Sequence, residues 1–364
     1  MNEAAPMWNV VAGVFLLSAV AVRFFRQVAL KKVLLDIPNE RSSHKRPVPR
    51  LGGAAFMPVV FLAVGLFAPL AGLPEPVLAA FIGGVIALYI ISLTDDFITL
   101  STTVRFGVQF GAAGSIVWAA THFTALGTVD FIGAWFPALP SLQCFTAYLS
   151  HGLLILWIIG ALNIYNFMDG IDGIAGVQAV VAGLAWAISG TIFGAPFSAW
   201  VGAMAAAGAL GFLTLNWPPA KIFMGDAGST VLGYLFAALP LVAKIESKVA
   251  IAFDRLLIVA ALLLWPFLSD GAFTILRRLR KGENILKAHR SHLYQRLVIS
   301  GRSHAQVTGV YGGLATVGAF LAWGVVANLP FAVPVAILAV GVLFLALWRW
   351  VVWSEAAEMR KNAR

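Results

Sequence analysis

Four polar residues between two apolar segments offer the first chemistry in this sequence. Asn163, Asn166, Asp169 and Asp172 recur every three residues, and on a helix the last three would share one broad face. Carboxylates beside long apolar runs are costly in a membrane and usually mark a metal, proton or substrate site. A short polar turn that caps the next helix is the simpler alternative, but a turn needs only one or two such residues.

Two adjacent carboxylates, Asp95 and Asp96, end another apolar run. If that run is a helix, the negative end of its dipole disfavours both charges, so a divalent cation or basic groups from another loop must compensate. Because adjacent helical residues point about 100° apart, we expect at most one of the two to bind a given ion directly. The other would orient a partner.

Asp226 lies in a segment of small residues, 225–229, that opens a further apolar run. The bare backbone would admit a phosphate to the N-terminus of a helix, and a carboxylate beside a phosphate requires a cation between them. Mg²⁺ suits this role, because one or two carboxylates hold it together with substrate phosphates. Simple capping of the helix by Asp226 is the alternative.

Basic residues are concentrated in the first polar segment, residues 36–53, which contains Arg41, His44 and Arg50. Arginine offers a bidentate fork to phosphate oxygens, so this segment could clamp a phosphorylated substrate. A plain charged loop explains the same residues equally well.

A second basic segment, loop 270–304, begins with an arginine-rich cluster that suits a surface helix on anionic lipid. His289, Arg290 and His292 fit that interpretation less well, because histidine carries little charge near neutral pH but donates well to phosphates. Asp270 is ambiguous, since it could pair with Arg277 or Arg278 if the preceding helix continues. Acidic groups for a metal and basic groups for phosphates, beside lipid, together indicate a diphosphate substrate and a lipid partner.

The composition indicates the class of protein that must position these residues. Sixty per cent of the 364 residues are hydrophobic and 11% are charged, with a mean hydropathy of +0.88, which is typical of a polytopic membrane protein. One cysteine, Cys144, rules out an intramolecular disulfide and a thiolate-rich metal site. The net charge is +9, and the basic residues alternate with apolar runs along the chain. This pattern indicates membrane topology rather than nucleic-acid binding.

Apolar runs predict an all-α integral membrane bundle of about ten or eleven transmembrane helices. With the N-terminus outside, only Lys244, Lys248 and Arg255 of the 25 Lys and Arg residues fall on or near the outer side, and every dense polar motif faces the cytoplasm. The weakest span contains Gln109. The predicted spans are residues 8–25, 51–70, 77–94, 105–121, 151–165, 171–192, 197–216, 227–243, 250–269, 305–328 and 331–352.

Five motifs follow one another along the chain. They are Asp36…Asn39…Arg41…His44…Pro49-Arg50…Gly52-Gly53, Asp95-Asp96, Asn163-x-x-Asn166-x-x-Asp169-Gly-x-Asp172-Gly, Gly225-Asp226-x-Gly-Ser and the His-rich loop 270–304. In this order they resemble the motifs of the polyprenyl-phosphate N-acetylhexosamine-1-phosphate transferases, glycosyltransferase family 4. The resemblance covers nearly the whole chain and implies one polytopic transferase domain, residues 1–364.

The resemblance implies transfer of a HexNAc-1-phosphate from a UDP-N-acetylhexosamine to undecaprenyl phosphate, with release of UMP, in the bacterial inner (plasma) membrane. It implies Mg²⁺, with Mn²⁺ as a substitute, on Asp226 with Asp95 and Asp96, and it is compatible with a homodimer. The catalytic residues that it implies are Asp95, Asp96, Asp169, Asp172 and Asp226. The substrate-binding residues that it implies are Asn39, Arg41, His44, Arg50, Asn163, Asn166, His289, Arg290 and His292.

His289-Arg-Ser-His292, followed by Leu-Tyr-Gln-Arg, differs from the triple-histidine run of the peptidoglycan branch. It looks like the O-antigen-initiating branch that uses 6-deoxy HexNAc donors, so the resemblance implies such a donor or GlcNAc, for lipopolysaccharide or related envelope synthesis. A flippase or transporter of a lipid-linked phosphate is the main rival. A CDP-alcohol phosphotransferase is a second rival, but its Asp-Gly-x-x-Ala-Arg pattern does not follow Asp169.

The acceptor is a phosphomonoester with a second pKa of about 6, so it is largely ionised at cytoplasmic pH. The reaction therefore does not require a general base. We favour in-line attack of an acceptor oxygen on the β-phosphorus of the donor, with Mg²⁺ and basic loops stabilising the charge. A proton abstraction by Asp95, or a two-step route through a phosphorylated Asp, would be consistent with the same residues.

Overall fold

The structure, a computed structural model, describes residues 4–32, 35–36, 47–123, 143–247, 252–284 and 289–362. Within these ranges the chain forms twelve α-helices and one two-stranded β-ladder. The helices are α1 (Ala4–Lys31), α2 (Gly52–Phe67), α3 (Glu75–Phe97), α4 (Thr102–His122), α5 (Gln143–Met168), α6 (Ile174–Phe193), α7 (Pro196–Asn216), α8 (Asp226–Glu246), α9 (Phe253–Arg280), α10 (Leu293–Ile299), α11 (His304–Val326) and α12 (Ala332–Asn362).

Each of the eleven predicted spans falls on one of these helices, which confirms an all-helical, polytopic membrane protein. Among the described residues, nine helices are long and apolar enough to cross a membrane. Helix α2 is apolar but shorter, with 16 residues. Helix α4, on the span predicted to be the weakest, is not apolar enough to belong to the nine. Helix α10 is too short to span and was not predicted.

Helix α8 is the centre of the bundle, because every residue from Ala227 to Ala243 is buried. It packs against α2, α3, α4, α5, α6, α7 and α9. A helix that is apolar on every side must be surrounded by other helices, whereas α1 and α12 leave most of their surface on the outside of the bundle. The N-terminus of α8, which carries Asp226, is therefore fixed by its neighbours.

The first polar segment is joined to the start of α8 by backbone hydrogen bonds. Strands β1 (Leu35–Asp36) and β2 (Val48–Pro49) pair antiparallel, and the Phe223 amide donates to the Pro49 carbonyl at 2.7 Å. The Gly52 and Gly53 amides donate to the carbonyls of Phe223 and Met224 at 2.9 and 2.6 Å. These bonds place Arg50, which lies between β2 and α2, beside Asp226.

Candidate active site

Asp95 and Asp96 end α3, as predicted, and basic groups compensate both carboxylates. Asp95 accepts hydrogen bonds from the Leu100 amide at 2.7 Å and from Nη1 of Arg105 at 2.7 Å. Ser101 caps α4 through the Val104 amide, which fixes the first turn of α4 and with it Arg105. Both oxygens of Asp95 are thus held by the protein.

Asp96 caps α8 from outside that helix. Its carboxylate, 3% exposed, accepts from the Asp226 and Ala227 amides at 3.2 Å each. Gly225 has φ of +75°, and a Cβ there would lie 2.8 Å from Oδ2 of Asp96, so glycine allows both the turn and the contact. The alternative in which Asp226 caps its own helix is wrong. The N-cap residue is Gly225, which has no side chain, and the carboxylate of Asp96 accepts from the first amides of α8 instead.

Arg50 bridges two of the predicted carboxylates. Its Nε lies 3.3 Å from Oδ1 of Asp96, and its Nη2 lies 2.6 Å from Oδ1 of Asp226. Burial opposes the charged guanidinium, but Asp226 and Asp96 outweigh it and raise the pKa of Arg50. The other oxygen of Asp226 lies 3.7 Å from Arg105 and 3.4 Å from the amide nitrogen of Asn166.

The two asparagines on α5 have different partners. Asn166 accepts from the Ser229 hydroxyl at 2.9 Å, so it connects α5 to the first turn of α8. Asn163 donates to Oε1 of Gln109 at 2.8 Å and to the Ile159 carbonyl at 2.8 Å. This amide pair joins α4 to α5 within the bundle.

Asp169 and Asp172 do not continue the helical face of Asn166, as that prediction required. Helix α5 ends at Met168, and Gly173, with φ of +79°, precedes α6. The connection 169–173 therefore carries both carboxylates in a turn, as the simpler alternative predicted, but neither carboxylate caps α6, whose N-cap residue is Gly173.

Asp169 lies where several negative charges meet. Burial, opposed by Arg50 and reinforced by Asp226, Asp96 and Asp172, raises the pKa of Asp169 well above its ordinary value. A site that disfavours a negative charge in this way would be relieved by a bound cation.

Asp172 connects the turn to two other segments. Its Oδ2 accepts from the Ala220 amide at 3.0 Å, and its Oδ1 lies 3.2 Å from Nδ1 of His304 at the start of α11. Thr308 donates to the Asp172 carbonyl at 2.7 Å. These contacts give Asp172 a role in fixing the turn.

In loop 270–304, α9 continues to Arg280, but Asp270 does not pair with the arginines that follow. Arg277 donates instead to the Ser291 carbonyl at 2.7 Å, and Arg278 donates to the Asn284 carbonyl at 2.6 Å. Asp270 contacts His292, with 3.2 Å between Oδ1 and Nδ1. The proposed pairing within α9 is wrong because the partner of Asp270 comes from a later segment.

The rings of His289, His292 and Tyr294 form a stack, with centroids 5.0 and 5.8 Å apart. His289 and Arg290 are partly exposed, whereas His292 is 3% exposed. Burial, with the charges of His292, Arg278 and Arg277, lowers the pKa of His289 to about 4. His289 is therefore a neutral ring near neutral pH.

The site includes residues that the sequence analysis did not select. Arg105, His304 and Gln109 each contact a predicted residue. Arg105 had a signal in the sequence, because it is the single Lys or Arg of its span. Asn39, Arg41 and His44 lie outside the described residues.

A cleft opens beside Asp95, Arg105 and Asp226. Its lining also contains the amides of Gln109, Asn163 and Asn166, with apolar and small polar side chains of α3, α4, α5 and α8. These are Leu88, Ile91, Ser92, Thr102, Phe106, Phe167 and Thr230. The cleft thus combines charged, amide and apolar side chains from four helices.

The donor set suits a hard cation, although the described residues hold no group of three or more His, Cys, Asp and Glu side chains arranged to bind one. Arg50 lies between Asp96 and Asp226 in this arrangement. Carboxylate oxygens are the ligands that Mg²⁺ prefers, and it needs only one or two of them when substrate phosphates supply the rest. Asp226 and the crowded Asp169 fit that requirement.

Comparison with known proteins identifies the family of this chain. Residues 78–244 match the model of glycosyl transferase family 4. A probable undecaprenyl-phosphate N-acetylglucosaminyl 1-phosphate transferase of Bacillus subtilis (strain 168) is 30% identical over 282 residues, which are 77% of this chain and 74% of that protein. The chain belongs to glycosyl transferase family 4.

Two further relatives differ in the sugar that their names give. An undecaprenyl-phosphate alpha-N-acetylglucosaminyl 1-phosphate transferase of Thermotoga maritima is 28% identical, covering 80% of this chain and 81% of its own. A phospho-N-acetylmuramoyl-pentapeptide-transferase of Symbiobacterium thermophilum is also 28% identical, covering 86% and 92%. The chain is an enzyme of the polyprenyl-phosphate N-acetylhexosamine-1-phosphate transferase class, which rules out the transporter and CDP-alcohol alternatives.

Proposed function

We propose that this enzyme transfers a HexNAc-1-phosphate from a UDP-N-acetylhexosamine to undecaprenyl phosphate, releases UMP and starts a lipid-linked envelope polysaccharide. The observation that carries the proposal is the meeting of carboxylates and arginines at a cleft between membrane-spanning helices. Asp96, Asp226 and Arg50 form its centre, with Arg105 at the cleft. Acids for a cation and guanidinium groups for phosphates are the chemistry that a diphosphate donor and a phosphate acceptor require.

The contacts support two different roles, positioning and ligand binding, among the five predicted catalytic carboxylates. Asp95, Asp96 and Asp172 have oxygens engaged by backbone amides, so they position α4, α8 and the 169–173 turn. Asp226 and Asp169 remain as the carboxylates for ligands. Among the described residues, only arginine and amide side chains contact the carboxylate of Asp226.

Mg²⁺ would be held by Asp226, with Asp169 beside it, and the guanidinium of Arg50 would then release Asp226. When bound, the ion neutralises charge on the donor diphosphate as the bond to the leaving UMP breaks. Asp95 and Asp96, predicted as further ligands, act in this proposal by orienting Arg105 and the start of α8. Mn²⁺, with similar ligand preferences, is expected to replace Mg²⁺.

The arginines would bind the two anionic substrates. Arg50 can move from Asp226 to a donor phosphate without losing Asp96, because separate nitrogens contact the two carboxylates. Arg105, whose Nη1 is held by Asp95, would contact the acceptor phosphate at the cleft. Asn39, Arg41 and His44, from the same polar segment as Arg50, stay predicted as substrate-binding residues.

These contacts favour direct in-line attack by the ionised acceptor. Asp95 accepts two hydrogen bonds at 2.7 Å, so it is a poor candidate for removing a proton. Asn163 is committed to Gln109 and would shape the cleft, whereas Asn166, beside Asp226, would lie near the diphosphate. A phosphorylated Asp is not required.

The cleft would take the start of the polyprenyl chain, because it lies between spans and Leu88, Ile91, Phe106 and Phe167 give it an apolar wall. Its mouth is on the side that carries most of the Lys and Arg residues, which supports a cytoplasmic active site, an external N-terminus and location in a bacterial inner membrane. A homodimer stays a prediction from the resemblance.

The sugar is the finer part of the proposal. The His289-Arg-Ser-His292 pattern supports a 6-deoxy HexNAc, such as FucNAc or QuiNAc, and an O-antigen pathway, whereas the relatives are named for other N-acetylated sugars. Partly exposed His289 and Arg290 are the residues of that pattern that a donor can reach.

The test is UMP release by the purified protein with undecaprenyl phosphate and a panel of UDP-HexNAc donors, with and without Mg²⁺. We expect release that requires both the lipid and the ion, and the best donor identifies the sugar. Asp226→Asn should abolish turnover while the protein stays folded, and Asp254→Asn, at the far end of α9, is the matched control. Lack of release from every donor, or full activity of Asp226→Asn at saturating Mg²⁺, would contradict the proposal.

A further inference from the structure

Asp270 is a buried carboxylate that the proposed reaction does not use. It lies on α9, is 0% exposed, and accepts hydrogen bonds from four other residues besides His292. The donors are the Thr274 hydroxyl at 3.2 Å, the Leu293 amide at 2.9 Å, the Tyr294 amide at 3.1 Å and the Tyr311 hydroxyl at 2.6 Å. A buried carboxylate with this many partners organises the segments that supply them.

Three of the five donors come from consecutive residues, His292, Leu293 and Tyr294. Asp270 therefore fixes the backbone at the start of α10 and the orientation of the His292 ring in the same place. The His292 ring in turn stacks on the ring of His289, next to Arg290. The two partly exposed residues of the predicted donor-binding pattern thus lie next to the segment that Asp270 holds.

Tyr294 connects this segment to the carboxylate turn. Its amide donates to Asp270, and its hydroxyl donates to the Phe167 carbonyl, at 2.9 Å, in the last turn of α5. The same hydroxyl lies against Gly170, where an added Cβ would be only 2.1 Å away. Asp270, Tyr294 and the 169–173 turn are therefore in one continuous line of contacts that leads to Asp169.

We propose that Asp270 is a positioning residue that holds residues 289–294 against the 169–173 turn, so that His289 and Arg290 meet the donor at its diphosphate or sugar. This inference deepens the proposed function and rests on it. A carboxylate suits the role because it accepts at both oxygens. An asparagine would direct an NH₂ group at one of the donors and leave that donor unpaired.

The test compares Asp270→Asn with Thr274→Val, which removes one hydrogen bond from the same carboxylate but none from residues 289–294. We expect Asp270→Asn to raise the donor KM about tenfold or more and to leave the acceptor KM within about twofold of wild type. Hydrogen–deuterium exchange of residues 289–299 should increase in Asp270→Asn, and UDP-sugar should restore protection. Thr274→Val should match wild type in both measurements.

If Asp270→Asn does not fold, His292→Asn decides, because it removes the 3.2 Å ring contact with Asp270 from within residues 289–294, whereas the Thr274 contact lies outside that segment. A raised donor KM with an unchanged acceptor KM supports positioning, and an unchanged donor KM overturns it. A lower kcat with both KM values unchanged in Asp270→Asn indicates a purely structural residue and also overturns it. A wild-type protein without lipid- and Mg²⁺-dependent UMP release refutes the proposed function itself, which separates the two failures.

Discussion

The contact between Gly170 and Tyr294 gives a prediction about how tightly loop 270–304 must approach the carboxylate turn. In Gly170→Ala, the new methyl group would lie 2.1 Å from Oη of Tyr294, whereas ordinary van der Waals contact begins at 3.4 Å. The turn or the tyrosine ring must therefore move by more than about 1 Å, since both are packed against neighbours.

The size of the effect follows from that displacement. Overpacking of this kind costs about 1–3 kcal/mol of stability, and a shift of about 1 Å in catalytic groups lowers the rate on the order of a hundredfold. Tyr294→Phe alone loses one hydrogen bond to the Phe167 carbonyl, worth about 1 kcal/mol or about fivefold. In the double variant Gly170→Ala/Tyr294→Phe, the ring atom nearest to the new methyl group is Cζ of residue 294, at 3.0 Å. Small shifts relieve this contact.

UMP release at saturating Mg²⁺ and lipid measures these differences. We expect Gly170→Ala to lose about a hundredfold in kcat/KM for the donor, and the double variant to recover about tenfold of that loss. Gly160→Ala is the matched control, because Gly160 lies in α5, which leads into the turn, and its Cβ would meet open space. Double-variant activity at or below that of Gly170→Ala would refute the claim that this contact sets the geometry.

Three other substitutions probe separate contacts. Arg105→Gln removes the guanidinium at Asp95 and Asp226 and should lower kcat/KM for the acceptor at least about tenfold; unchanged acceptor kinetics would contradict its phosphate role. The pKa of His289 is lowered from 6.5 to about 4, so the unfolded state binds more protons between these values and stability rises with pH there. His289→Gln should reduce the increase in melting temperature between pH 4.5 and pH 7. An unchanged increase would contradict the lowered pKa of this ring. Glu355→Gln breaks the bidentate pair with Arg296 that ties α12 to α10, and should cost less than about 1 kcal/mol in chemical denaturation because the pair is partly exposed; a larger loss would show a stronger coupling of α12 to the site.

The sequence was sufficient to predict eleven of the twelve helices and most of the carboxylates of the candidate site. Apolar run length determines a membrane span almost without tertiary information, so the eleven runs coincide with helices. The need for positive charge near Asp95 and Asp96 also followed from local physics, and Arg105 and Arg50 supply it.

Other features depended on contacts between distant residues. The three-residue spacing suggested a helical face for Asp169 and Asp172, but the backbone leaves the helix after Met168. Asp96 caps a helix that begins 130 positions later in the chain, and Asp270 pairs with His292, 22 positions later. Hydrophobic periodicity contains no information about such pairings, because they depend on how whole helices pack.

The cap that Asp96 provides has a consequence for biogenesis. Helix α3 leaves the ribosome long before α8, so a nascent chain holds the carboxylate of Asp96 at the membrane without the amides that it accepts from in the finished protein. The cluster of Asp96, Asp226 and Arg50 forms only when α8 packs against the helices made before it. A chain truncated before α8 should therefore be inactive and hold Asp96 near lipid with Arg50 but without its two amide donors, a feature by which membrane quality control could recognise it.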